Sequence, residues 1–290
     1  MPTTSPSQNS GHVFVPSIVL NNGVCVPQLG FGVFQVPAES AQAAVETALE
    51  IGYRHIDTAA AYNNEAAVGA GIRASGIPRD KVFVTTKLRN GNQGYEGALD
   101  AFAASNRALG VDYIDLYLIH WPSPKRDLYV SSWHALERLY GEKSVRAIGV
   151  SNFLPEHLDR LLAAADVVPA VNQLEIHPTF QQNDVAQYSR SHGMEIEAYS
   201  PLGQGNDLDS AIVCRLAERY GTSRAAIILR WHLQRGNIVF PKSTNLARMR
   251  ANIDVFGFDL ATEEEEQISS LDTDIRIGAN PRDFEITQIR

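Results

Sequence analysis

The chain has 290 residues, 44% of them hydrophobic and 20% charged, the balance of a globular protein with a large core. A net charge of −8 and a pI near 5.5 argue against nucleic acid or an anionic membrane as main partner. Cys25 and Cys214 supply neither a disulfide framework nor metal spacing and point to a reducing compartment. With no signal-like segment and no apolar run of membrane length, the expectation is a cytoplasmic protein.

Residues 1–14 are polar, rich in Ser, Thr and Pro, and read as a disordered lead-in to one domain over 15–290. SIVL, then Asn21-Asn22-Gly23, then VCVPQLG predict a β-hairpin. A strand–helix alternation follows. Strands are expected at 30–36, from Tyr53, and at 81–88, 113–120, 145–151, 169–176, 195–201 and 237–243. Helices are expected over 39–52, from Asn64 to Gly76, over 95–110, around 131–142, after Leu154, near 184–193, over 210–236 and from Asn245. The helix over 260–271 is accessory, begun by Thr262 with acidic residues in its first turn, and the tail from Asp272 reads as a loop. Eight such units at about 30-residue spacing, without a linker, predict a closed (β/α)8 barrel of the TIM type. A doubly wound open sheet leaves the even spacing unexplained.

In such a barrel, chemistry gathers where strands end. Asp57, Lys87 and His120 end the second, third and fourth barrel strands, and Tyr62 follows Asp57 across the small run Ala59 to Ala61. Taken singly, Asp57 reads as well as a turn cap, Lys87 as a solvated strand end, His120 as a core histidine and Tyr62 as a rim aromatic. Together at one barrel mouth they form a set. A carboxylate keeps an ammonium charged, and the ammonium pulls the phenol's pKa down from about 10. His120 donates a hydrogen bond or completes a proton path. That suits protonation of an oxygen gaining negative charge. At the eighth strand, Lys242, Ser243, Thr244 and Asn245 open a helix that also carries Arg248 and Arg250, an anion site. No acidic residue stands there to accept a ribose diol.

These residues carry a resemblance. From about Ser17 onward the chain resembles the aldo-keto reductase family through GYRHIDTA with Glu65 and Val68-Gly69, GVSNF at 149–153, and PKS at 241–243 with Arg248 and Asn252. Within it, LGFGVFQVP, PAVNQLEIHP, SPLGQG and VFPKS are most similar to bacterial 2,5-diketo-D-gluconate reductases. The resemblance implies Asp57, Tyr62, Lys87 and His120 as catalytic tetrad, with Tyr62 the general acid. It implies NADPH bound extended, with Ser151, Asn152 and Gln173 on the carboxamide, Tyr199 stacked on the nicotinamide and Ser200 and Leu202 nearby. Lys242, Ser243, Thr244, Arg248 and Asn252 are implied to hold the adenosine end. Such proteins are often monomers, and the implied partner is a small carbonyl substrate.

Gly69, Gly71 and Ala74 fit G-x-G-x-x-A, but inside a helical pattern, where the motif fails and helix packing is expected. Metal motifs are absent. Phe34 and Trp121 are expected in the substrate pocket. Arg89 stands where the family commonly has Trp, and facing inward it favours a carboxylate substrate. Ala251 stands where relatives often carry Glu, which weakens an adenine contact. The reading is NADPH-dependent reduction of aldehydes or ketones, such as keto-sugar acids or small dicarbonyls. Two alternatives are a cofactor-binding regulatory subunit with little turnover and a barrel isomerase or aldolase using Lys87 as Schiff base.

Overall fold

A computed structural model describes residues 14–285. The lead-in, apart from exposed Phe14, and the tail beyond residue 285 lie outside the described residues. The predicted hairpin pairs β1 (Ser17–Val19) antiparallel with β2 (Cys25–Pro27), turning at Gly23 with φ +82°. Eight parallel strands follow: β3 (Phe31–Gly32), β4 (His55–Asp57), β5 (Phe83–Leu88), β6 (Ile114–Ile119), β7 (Val145–Ser151), β8 (Val171–Glu175), β9 (Glu195–Tyr199) and β10 (Ile238–Val239). Their order in the sheet is their order in the chain. Leu29, just before β3, bridges Val239 in parallel, and Gly30 N–H donates to Val239 O at 2.8 Å, so the sheet closes on itself. The open-sheet alternative is thereby excluded.

The helices lie between strands: α1 (Ala38–Ile51), α2 (Glu65–Ala74), α3 (Tyr95–Leu109), α4 (Tyr129–Gly141), α5 (Pro155–Leu162) and α6 (Asn183–Ser191). The expected helical stretch 210–236 is two helices, α7 (Ala211–Tyr220) and α8 (Arg224–Gln234). Gly221 turns left-handed at φ +61° between them, and Ser223 Oγ caps α8 by accepting from Ala226 N–H at 3.0 Å. After β10 come α9 (Leu246–Ile253) and the accessory α10 (Thr262–Ser269). Thr262 is the first residue of α10, as expected, and the cap position is the residue before it. Ala261 holds that position, and Glu264 Oε2 reaches back to accept its N–H at 2.9 Å. The first barrel strand is shorter than expected, because Gln35 turns left-handed at φ +57° ahead of Pro37.

Both faces of β5 and β6 are buried, as a covered parallel sheet requires. Leu116 and Leu118 face the barrel interior with Phe83, Ala147, Ile238 and Phe240, and hairpin residues Leu20 and Val26 plug its lower end. Tyr117, of opposite parity, packs edge-on against Phe102 of α3, the ring centroids lying 5.4 Å apart. Gly149 has no side chain because a Cβ there would sit 2.8 Å from both Leu118 and Val171. Gly69 lies inside α2 with its Cβ position 1.8 Å from Leu109 O, so its dinucleotide-like spacing is helix packing. No helix among the described residues is long and apolar enough to cross a membrane.

Candidate active site

Asp57 ends β4 and Lys87 lies one residue from the end of β5, both pointing into the barrel mouth. Lys87 is wholly buried, and Nζ donates to Asp57 Oδ1, Asp57 Oδ2 and Thr58 O, each at 2.8 Å. Three acceptors are what make a buried ammonium tolerable. Burial pulls its pKa down, but Asp57, Tyr62 and Glu197 outweigh this and the net shift is upward, so Lys87 stays charged.

Tyr62 is carried on a short 3-10 turn, Ala60–Tyr62, directly after Asp57. Asn64 locks that turn. Its Nδ2 donates to Val33 O at 3.0 Å and Val36 O at 3.1 Å, while its Oδ1 accepts from Thr58 Oγ1 at 3.0 Å. The Lys87 ammonium lies 5.3 Å from the Tyr62 ring centroid, and the ring packs tilted on Phe34 at 5.1 Å and edge-on to His120 at 5.8 Å. The expected downward pull of Lys87 on the phenol is present but does not win. Burial raises the Tyr62 pKa more than Lys87 lowers it, so the resting side chain is a neutral phenol. Burial and Lys87 push the His120 imidazole well below its usual range, and it is neutral at pH 7. A neutral imidazole can orient an oxygen but is not a reservoir of protons.

A cavity of about 890 Å³ opens over this cluster. Asp57, Tyr62 and His120 line it, with Ser151, Asn152, Gln173 and Tyr199 along the far strand ends. Gln173 Nε2 spends both hydrogens on side-chain acid oxygens, Asp57 Oδ2 at 3.0 Å and Glu197 Oε2 at 2.8 Å, leaving its own oxygen as an acceptor. Asn152 Nδ2 donates to Ser151 Oγ and His120 O at 3.0 Å each, and its Oδ1 accepts from the Tyr199 hydroxyl at 2.8 Å. Asn152 at φ +66° and Ser200 at φ +49° are left-handed, and both line the cavity. At the outer end stand Lys242, Ser243, Arg248, Ala251 and Asn252. Neither Lys242 nor Arg248 makes an ion pair among the described residues, so two unneutralised cations face one end of the cavity.

The sequence matches the family described as Aldo/keto reductase family over residues 28–273. The chain belongs to the aldo/keto reductase family. It is 48% identical over 272 residues to an aldo-keto reductase of Mycolicibacterium smegmatis, covering 94% of this chain and 99% of that one. It is 46% identical to the glyoxal reductase of Bacillus subtilis, covering 91% and 96%. Its fold superposes with a TM-score of 0.89 on the crystal structure of a Gox0644 mutant in complex with NADPH, at 41% identity over 93% of this chain and 98% of that one.

Most residues singled out in the sequence of this aldo/keto reductase do converge. Phe34, Trp121, Ser200 and Leu202 line the cavity alongside Asp57, Tyr62 and His120, and Lys87 is held against this cluster by its bonds to Asp57, wholly buried and off the cavity wall. Two do not. Thr244 is exposed and off the cavity wall. Arg89 does not line the cavity either, because the chain turns into the 3-10 segment Asn90–Asn92 directly after it, and its Nε is buried without a partner. The aromatic wall expected to be lost at Arg89 is instead made by Phe284 of the tail, whose ring lies 4.3 Å from that of Trp121.

Sequence reasoning passed over Glu197, the inward residue of β9, which is fully buried with its pKa raised to about 8 by burial and then by Asp57. It is a protonated acid at neutral pH. The E-x-Y spacing at the end of β9 was the available signal, since an inward Glu two residues before Tyr199 must enter the same interior as Asp57.

Proposed function

We propose that this aldo/keto reductase reduces small, uncharged aldehydes, ketones and dicarbonyls to alcohols with NADPH, using Tyr62 as proton donor. One observation supports the reading above the others. A neutral phenol beside a permanently charged lysine sits in the same cavity as the unpaired cations Lys242 and Arg248. That donor set suits a phosphorylated dinucleotide, with Ser243 beside Lys242 at the entry to α9 for the phosphate and the Gln173 oxygen as acceptor for the carboxamide. When bound, NADPH supplies the hydride. The family relative crystallised with NADPH supports the choice of cofactor.

The protein's own part is proton supply and positioning. Tyr62 holds its proton until the carbonyl oxygen gains charge, then gives it up, and Lys87 stabilises the phenolate left behind. Asp57 keeps the ammonium aimed, and neutral His120 orients the carbonyl oxygen. Phe34, Trp121 and Phe284 form an apolar wall that excludes water from the reacting oxygen. Among the described residues no cation lines the cavity at this end, Arg89 lying off its wall, so neutral dicarbonyls are favoured over keto-sugar acids. The similarity to a glyoxal reductase agrees with this preference. The test is NADPH oxidation with a panel of aldehydes, dicarbonyls and keto-sugar acids, for the native protein and Tyr62→Phe. Turnover faster on keto acids than on neutral dicarbonyls would overturn the substrate class. Undiminished turnover in Tyr62→Phe would overturn the mechanism.

A further inference from the structure

Behind the cavity lies a second cluster of ionisable side chains that proton transfer does not use. Glu175 ends β8, His177 follows two residues later, and Asp207 belongs to the short 3-10 segment Gly203–Asp209 after β9. The three side chains are at most 1% exposed. The His177 ring lies between the two acids, with Nε2 3.3 Å from Glu175 Oε1 and Nδ1 3.0 Å from Asp207 Oδ2. Thr179 Oγ1 adds a donor to Asp207 Oδ1 at 2.7 Å. Desolvation lowers the His177 pKa, but the two carboxylates raise it to about 9, so the ring is an imidazolium at neutral pH.

Each carboxylate holds a different piece of cavity wall. Glu175 accepts the backbone N–H of Ile277 at 2.7 Å and of Gly278 at 2.9 Å, and Arg276 Nη1 approaches it at 3.8 Å. Those contacts lay the tail across the barrel mouth, where Gly278 and Ala279 line the cavity. A Cβ on Gly278 would be 2.6 Å from Glu175 Oε2, so the tail approaches as closely as a glycine permits. Asp207 anchors the segment that presents Leu202, Gln204, Gly205 and Leu208 to the same cavity, on the side of the basic cluster.

We propose that His177 is a positioning residue that ties these two walls together through Glu175 and Asp207, so that cofactor retention and carbonyl recognition are set jointly. The tail flanks Tyr199 and Trp121, the carbonyl end, while the 202–209 segment flanks the dinucleotide groove. Disturbing either carboxylate therefore loosens both walls, because among the described residues Glu175 and Asp207 are the two anions that hold the imidazolium, with the Thr179 hydroxyl 3.0 Å from Nδ1. The inference rests on the proposed cofactor site, and its test carries one reading that does not.

Glu175→Gln and Asp207→Asn keep the shape of each side chain and remove its charge. His177→Leu strands two buried carboxylates and is the variant prone to misfold, so it is not needed. The expected result is a crossed effect. Asp207→Asn raises KM for the carbonyl about fivefold, and Glu175→Gln raises the NADPH dissociation constant, read by fluorescence quenching, about fivefold. The double variant is no worse than the worse single one. Amide hydrogen exchange without cofactor speeds at Ile277 and Gly278 in Asp207→Asn. If each variant affects only its own wall and the double effects multiply, or if neither moves either constant, the coupling is overturned. A native protein that binds no NADPH sinks the proposed function, while unchanged exchange at Ile277 and Gly278 sinks the coupling on its own.

Discussion

Replacing Lys87 by Met tests the centre of the site, because the structure supplies both a stability cost and a catalytic cost. The buried ammonium is held by three acceptors at 2.8 Å. Its removal leaves the Asp57 carboxylate buried with only the Gln173 amide for compensation. Breaking one side of a buried pair costs about 3–5 kcal/mol, and at this chain length each kcal/mol is worth roughly 2–4 °C of Tm. The catalytic cost follows from the 5.3 Å between Nζ and the Tyr62 ring centroid. At an effective dielectric of about 20, an ammonium at that distance stabilises a phenolate by about 3 kcal/mol, or roughly a hundredfold in rate. Lys87→Met should therefore melt markedly earlier and turn over about a hundredfold more slowly at saturating NADPH. The double variant Lys87→Met/Asp57→Leu separates the two costs, since removing both charges restores much of the stability but none of the rate. Thermal unfolding by circular dichroism and NADPH oxidation by absorbance read them independently. A double variant that regains turnover along with stability refutes the electrostatic role of Lys87.

Tyr62→Phe keeps the ring packing on Phe34 and His120, so it should abolish turnover while NADPH affinity stays within about twofold, measured by fluorescence titration. Lys242→Ala combined with Arg248→Ala should weaken NADPH binding by about tenfold or more and leave NADH binding unchanged, because only the phosphorylated cofactor uses those cations. Equal loss for both cofactors would place the 2′-phosphate elsewhere. For Glu197 the folded pKa of about 8 lies above the usual 4.5, so between those values the folded state holds a proton that the unfolded chain has released. Stability attributable to this group is therefore intact below about 4.5 and declines as pH rises toward 8. Glu197→Gln, neutral at every pH, should match the native Tm at pH 5 and exceed it at pH 9. A constant difference across that range would count against a protonated Glu197.

How much was legible in the chain depended on the length of the contact involved. The barrel was readable because eight apolar strands and eight amphipathic helices recur at local periods, and each period is a property of neighbouring residues. Asp57, Lys87 and His120 were readable for a related reason. Parallel strands put successive C-terminal ends on one face, so residues 30 apart in the chain meet at one rim. The cations gathered at the start of α9 were readable from a helix start and its local sequence alone.

Packing at long range decided the rest. Arg89 follows β5 two residues after Lys87, and Asn90-Gly91-Asn92 announce a turn there, but only the packing decides that this turn leaves Arg89 off the cavity wall. The tail had no periodicity to read. Its course is set by Glu175 accepting Ile277 and Gly278, 102 and 103 residues away, and by Phe284 resting on Trp121. The sign of the Tyr62 shift belongs here too, since composition reveals the nearby ammonium but only the closed barrel reveals how far water is excluded. Local periodicity is written in the order of residues, whereas desolvation and docking are properties of the finished enclosure, and that is why the fold and the gathering of Asp57, Lys87 and His120 at one rim could be read first and the pocket's walls could not.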